Sequence, residues 1–310
     1  MPDDCSSATV DLSGEDILHR RLAAFNRARM TPCLPEDAVV EDLAALSAEL
    51  EFLERARLQV ANQAARAPCE PANFAVWFEC LVADGPGQQD ALFPWLADSA
   101  PMDAMCWFLT QEVAGEAGFE DLTALVQVRM PQRAKLELAR NYWDEMGRGH
   151  ARGMHGPLLE DLARALGLKP AIDTTVWESL ALANTLAGLA SHRRYAFQAI
   201  GALGVIELTA PGRAAMVAAG LKRLGVAARA RHYFALHAVL DIRHAATWLA
   251  EVIRPLIEED SRRACAIAEG ALMRLNCGAA CFRRYRERLG VGCGGPYDDG
   301  DAGPIRSIRT

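Results

Sequence analysis

The stretch FALHAVLDIRHAATWL, residues 234–249, restricts what this chain can fold into more than any other. His237, Asp241 and His244 are spaced four and then three apart, which puts them within about 60° of one another on an α-helix. Phe234, Leu240, Trp248 and Leu249 flank them, so that helix packs against a core. Three ionisable groups aimed toward an apolar interior need a compensating partner, because uncompensated burial costs several kcal/mol. The partner must come from other helices.

The rest of the chain supplies such helices. Ala, Leu, Arg and Glu dominate, and β-branched runs are few, which predicts an all-α fold. A first helix is expected over 15–29, and a second from Pro35 to Ala67, punctuated by Pro35 and Pro68. PANFAVWFECLVAD and QQDALFPWLADS read as shorter helices. The main bundle is expected over 101–287, with segments at 101–117, 119–129, 131–147, 154–167, 175–192, 194–209, 211–225, 228–255 and 258–287. Residues 15–100 read as a helical extension packed on that bundle. Residues 1–14 and 288–310 read as flexible tails.

Several function classes recede on composition. The net charge of −7 offers no basic field for nucleic acid. The polar, acidic start lacks the apolar region of a secretory signal, and no run of eighteen apolar residues suggests a membrane span. Nine scattered cysteines without a C-x-x-C pattern fit reduced thiols in a cytoplasmic protein better than a disulfide framework or structural zinc.

Three segments offer polar groups inside apolar helices. WFLTQEVAGE carries Glu112, NYWDEMGRGHARGMH carries Glu145 and His155, and AFQAIGALGVIELTAPG carries Glu207. Each residue alone has an ordinary structural reading: an exposed acid, a satisfied core histidine, or a paired carboxylate. Glu145 and His155 would stand about 80° apart on one unbroken helix. Gly147, Gly149 and Gly153 between them can open a turn that brings both to one site. His150 is the alternative histidine in that turn. Four carboxylates and three imidazoles without thiolates suit a pair of iron or manganese ions in a helix bundle, better than zinc, calcium or magnesium.

The order Glu, Glu-x9-His, Glu, His-x3-Asp-x2-His resembles the haem-oxygenase-like di-iron oxidases and oxygenases, over roughly 101–257. The resemblance implies a haem-oxygenase-like helical bundle, here with an added N-terminal helical layer. It implies two irons held by Glu112, Glu145, His155, Glu207, His237, Asp241 and His244, with Glu207 bridging and Glu112 as the extra carboxylate of the N-oxygenase members. It also implies O2 as co-substrate, a bridged peroxide, and an amine or amino-acid-like small molecule as substrate. An external reductase or ferredoxin is implied too, since the chain has no dinucleotide fingerprint, and a homodimer is admitted. The fatty-acid decarboxylase members carry a Glu-x2-His pair in place of Glu145-x9-His155. Three alternatives remain open: a di-iron oxidase that cleaves or desaturates C–C bonds, a haem protein with one histidine as axial ligand, and a non-catalytic iron-binding or partner-binding bundle.

Overall fold

A computed structural model describes residues 13–38, 42–116 and 118–292. The tails expected over 1–14 and 288–310 lie largely outside the described residues. Where they are described, Ser13 already caps the first helix and the last helix runs to Leu289.

The architecture is all-α, as expected of a haem-oxygenase-like bundle, and no strand occurs among the described residues. In chain order the helices are α1 (Gly14–Met30), α2 (Leu43–Ala64), α3 (Pro71–Asp84), α4 (Leu92–Asp98), α5 (Met102–Glu116), α6 (Phe119–Val126) and α7 (Gln132–Glu145). They continue with α8 (His155–Leu166), α9 (Trp177–Ser191), α10 (Ala196–Arg223), α11 (His232–Thr247), α12 (Arg254–Glu259) and α13 (Arg263–Leu289). Side-chain caps set several of the starts. The Ser13 hydroxyl accepts from the Asp16 amide, Asp42 accepts from Ala45, and Glu70 accepts from Ala72 and Asn73 ahead of Pro71.

Three boundaries differ from the sequence expectation. Pro35 opens only a short 3-10 turn, Pro35–Asp37, and α2 begins later behind the Asp42 cap. Pro211 does not divide two helices but lies inside α10. Its missing N–H removes the amide that would bond the carbonyl of Glu207, and the surrounding helices hold α10 together across that gap. The helix expected over 228–255 changes register instead of ending: α11 passes into a π-helical segment, Trp248–Ile253, before α12.

α10 is the central element, packed on α9, α11 and α13. With the turn before it, Arg193–Arg223, it is long and apolar enough to cross a membrane, yet 56% of its most apolar window is buried inside the bundle. Glycine permits the close crossing with α13. A Cβ on Gly201 would lie 1.8 Å from the Ile267 carbonyl oxygen, and one on Gly270 would lie 1.8 Å from that of Gln198. Trp248, 1% exposed, fills the notch over Gly204 and donates its indole N–H to the Ile200 carbonyl at 3.2 Å. That anchor fixes α11 against α10, and truncating such a side chain typically costs about 3–5 kcal/mol.

The N-terminal helices share this core. Leu22 of α1, Phe52 and Leu53 of α2, and Phe74 and Phe78 of α3 belong to one apolar cluster with residues of α9, α10 and α13.

Candidate metal centre

α7 ends at Glu145, and the chain doubles back before α8 begins at His155. Gly147 makes this possible. Its φ is +58°, and a Cβ there would lie 2.3 Å from the Gly153 carbonyl carbon. Met146 and Met154 pair as an isolated antiparallel bridge across the neck of the turn. The two side chains consequently meet, with His155 Nδ1 2.6 Å from Glu145 Oε2 and both residues buried. His150, at the tip, is exposed.

α11 brings His237 and His244 to the same place, and α10 brings Glu207. Two overlapping trios result, Glu145–His155–His237 and Glu145–Glu207–His244, each with its candidate ligand atoms within 4.8 Å of one another. Glu145 is thus the carboxylate common to both trios, and Glu207 belongs to one of them. Asp241 is buried on the same face of α11 and stands outside both trios.

Glu112 stands outside both trios. Its Oε1 accepts from the Tyr285 hydroxyl at 2.9 Å, and that hydroxyl lies 2.6 Å from Ser179 Oγ. The next residue, Val113, turns toward the centre and lines a cavity of about 270 Å³ together with Glu120, Glu145, His155 and His237. Glu120, on the first turn of α6, lies so close to α8 that a Cβ on Gly156 would be 2.4 Å from its Oε1. Sequence reading missed this carboxylate, because an acid in the first turn of a helix has an ordinary dipole-stabilising explanation.

The imidazoles are oriented by their other nitrogens. His237 Nδ1 lies 2.7 Å from the Tyr233 carbonyl, so it carries the hydrogen and leaves Nε2 as a lone-pair donor. His244 Nε2 lies 3.0 Å from Asp144 Oδ2, which leaves Nδ1 facing Glu207 Oε2 at 3.4 Å. Asn141 donates to the other Glu207 oxygen at 2.8 Å. Arg148 and Arg243 both pair with Asp144, so this second layer is itself held in place.

Burial pushes His155 and His237 down to about 4, the first helped by the charge of His244 and the second by His155. His244 goes the other way, up to about 9: burial opposes its charge, but the Glu207 and Asp144 carboxylates outweigh it.

The donor set fits a cation pair. His155 Nδ1 and His244 Nδ1 are buried and make no hydrogen bond, although each faces a carboxylate oxygen. Buried nitrogen and oxygen donors that converge in this way are arranged as ligands of a common cation would be. A family model described as iron-containing redox enzyme matches residues 106–279, more than half of the chain, and spans every residue of both trios. The chain belongs to the iron-containing redox enzyme family.

The family assignment makes the protein an iron-containing oxidoreductase, and the two trios are its candidate metal ligands. Among solved structures the chain is similar to a CADD-like protein of unknown function from Nostoc punctiforme, with 16% identity and a TM-score of 0.47, covering 77% of this chain and 99% of that one. No curated protein sequence matches.

Proposed function

We propose that the protein is a non-haem di-iron, O2-dependent oxygenase that oxidises an amine nitrogen. One observation carries this reading: Glu145 stands between two donor trios, so two cations can share one carboxylate. His155 and His237 would hold one iron, Glu207 and His244 the other, with Asp241 and Glu120 as flanking carboxylates. Two Fe(II) ions so held would supply two electrons for the reduction of O2.

The cavity supports an amine as substrate. Glu120, Glu145 and Glu160 line it, no lysine or arginine among the described residues does, and a cationic amine is drawn into such a lining. One of these carboxylates can accept the ammonium proton, which frees the nitrogen lone pair for oxygen insertion. Val113, Phe119 and Leu159 supply the apolar wall that limits water around the reacting nitrogen. The amine gains one oxygen atom and the other leaves as water, so each turnover consumes two electrons and two protons beyond the substrate. An external reductase or ferredoxin would restore Fe(II).

Anaerobic titration of metal-free protein with Fe(II), followed by mixing with O2 and an amine panel, tests the proposal. Two irons per chain, O2 uptake that depends on both, and a product heavier by one oxygen are expected. Fewer than two irons, or two irons inert toward O2, would reject it.

A further inference from the structure

A second cavity, of about 360 Å³, shares a wall with the iron-site cavity. Consecutive residues of that wall divide between the two. On α5, Val113 lines both cavities and Ala114 only the second; on α6, Glu120 lines the iron-site cavity and Asp121 the second. α1 and α9 complete the chamber, with Met30, Leu180, Ala183 and Ala187 as apolar surface. α1 contributes nothing to the iron-site cavity among the described residues, and it precedes the part of the chain that the family model matches. A ligand held on α1 is therefore not one held at the metal.

The chamber has one acceptor at depth, and its orientation is forced. Asn184 donates Nδ2 to the His19 carbonyl at 3.0 Å, and a carbonyl only accepts, so Asn184 presents Oδ1 to Asn26. Asn26 donates its Nδ2 to that oxygen at 3.1 Å. Asn26 Oδ1 is left over, buried and without a hydrogen-bond donor among the described residues. Both asparagines are buried and line the chamber. A buried acceptor of this kind needs a partner. A lone water would find few others there, because Asn184 has its amide engaged at both ends and the neighbouring wall is aliphatic. A ligand N–H or O–H whose apolar body covers that wall meets both needs. Charge has no partner at that depth, where the lining offers a neutral amide. Arg27 and Asp121, the charged groups of the lining, are exposed, and their opposite signs offset one another at the mouth.

We propose that this chamber is a second small-molecule site, which takes a neutral, largely apolar molecule with one N–H or O–H donor and acts as an effector site of the iron centre. Asn26 Oδ1 accepts the donor, and the apolar body lies against the α9 alanines and the shared wall. Filling the chamber fixes the end of α5 and the start of α6, and with them the Glu120 carboxylate on the other side. Coupling of this kind is reciprocal between the two sites. The proposal concerns ligand and iron binding alone and does not rest on the amine-oxygenase reading.

The test is calorimetric titration of the full metal-free chain with indole and 1-methylindole, which share an apolar body and differ in the N–H donor. Indole should bind more tightly by about 3- to 10-fold, the worth of one hydrogen bond. Asn26→Ala should abolish that difference. Ala23→Leu, which fills the chamber from a half-buried position on α1, should weaken both probes by about 10-fold. Circular dichroism checks that both variants fold, and the wild-type comparison with Ala23→Leu decides if Asn26→Ala does not. Anaerobic Fe(II) titration with saturating indole should shift iron affinity by about 5-fold or more, and iron loading should shift indole affinity by the same factor. Equal binding of the two probes to wild type, no binding of indole, or binding undiminished in Ala23→Leu would overturn the site. Iron affinity unmoved by bound indole would overturn its effector role. The amine-oxygenase reading fails separately, on iron stoichiometry and O2 uptake measured without indole.

Discussion

His244 Nε2 lies 3.0 Å from Asp144 Oδ2, and this contact joins the end of α7 to α11 directly beneath the candidate iron ligands. Asp144 precedes Glu145 in the chain, so consecutive carboxylates do different work: Glu145 turns inward to both donor trios, and Asp144 holds the imidazole from behind. Fixing the ring this way aims Nδ1 at the centre and raises its basicity as a ligand. Asp144→Asn should therefore weaken iron binding by about 10- to 100-fold while the helical content stays intact. Fe(II) titration beside circular dichroism measures both quantities. An unchanged affinity would show that His244 is oriented by other contacts.

Glu145 and Glu112 separate by role. Glu145→Ala removes the carboxylate common to both trios, and iron stoichiometry should fall below one per chain. Glu112→Gln keeps an oxygen for the Tyr285 hydroxyl but removes a charge that also compensates the buried Arg213 guanidinium. It should retain two irons and lose about 1–3 kcal/mol of stability, because the Arg213 guanidinium loses a compensating charge. Glu120→Gln should weaken loading of the His155 side. Metal analysis of the three variants, with chemical denaturation of the second, checks the assignment, and loss of iron in Glu112→Gln would contradict it.

The contrast between Glu112 and Glu120 marks where sequence reading stops. Helical content and the face shared by His237, Asp241 and His244 follow from period and composition alone, because 3.6-residue spacing is a local property. The glycines at 147, 149 and 153 likewise announce a turn in the chain itself. Which carboxylate of α5 or α6 meets His155 is a question of how two helices rotate about their axes, and nothing local encodes it. Glu112 sits among Trp107, Phe108 and Leu109 and looks like a buried acid in need of a cation; the structure gives it the Tyr285 hydroxyl and the charge of buried Arg213. Pro211 misleads for a related reason. Its propensity ends isolated helices, but packing on α9, α11 and α13 carries α10 through it.

His19 sets an acid limit on stability. It is 1% exposed, stacks on Trp177 at a centroid distance of 5.7 Å and meets the edge of Phe52 at 4.7 Å. Burial lowers it from the ordinary 6.5 to about 4, although Glu15 opposes the shift. The unfolded chain then binds a proton more readily than the folded one between those values, so the stability His19 supports is present above pH 6.5 and declines as pH falls toward 4. The full loss is on the order of 3 kcal/mol. Denaturant midpoints measured across this window should fall with acidification, and His19→Gln should flatten the slope. An unaltered slope in the variant would place the acid sensitivity elsewhere.

Gly201 and Gly270 bring the backbones of α10 and α13 together, each under the carbonyl of a residue on the opposite helix. A methyl at either position meets backbone oxygen at 1.8 Å, and neither helix has a flexible side chain at that point to give way. The helices must separate, and α10 carries Glu207, so the displacement reaches the donor trios. Gly201→Ala should cost about 1–3 kcal/mol by overpacking, toward the upper end because the obstacle is main chain. Gly212→Ala, on the same helix with nothing within 4 Å of its Cβ, is the control and should match or exceed wild type, since alanine is the better helix former by about 1 kcal/mol. Thermal and denaturant unfolding of the pair, followed by iron titration, gives the comparison. A Gly201→Ala protein as stable as the control would mean that α10 and α13 do not cross at this distance.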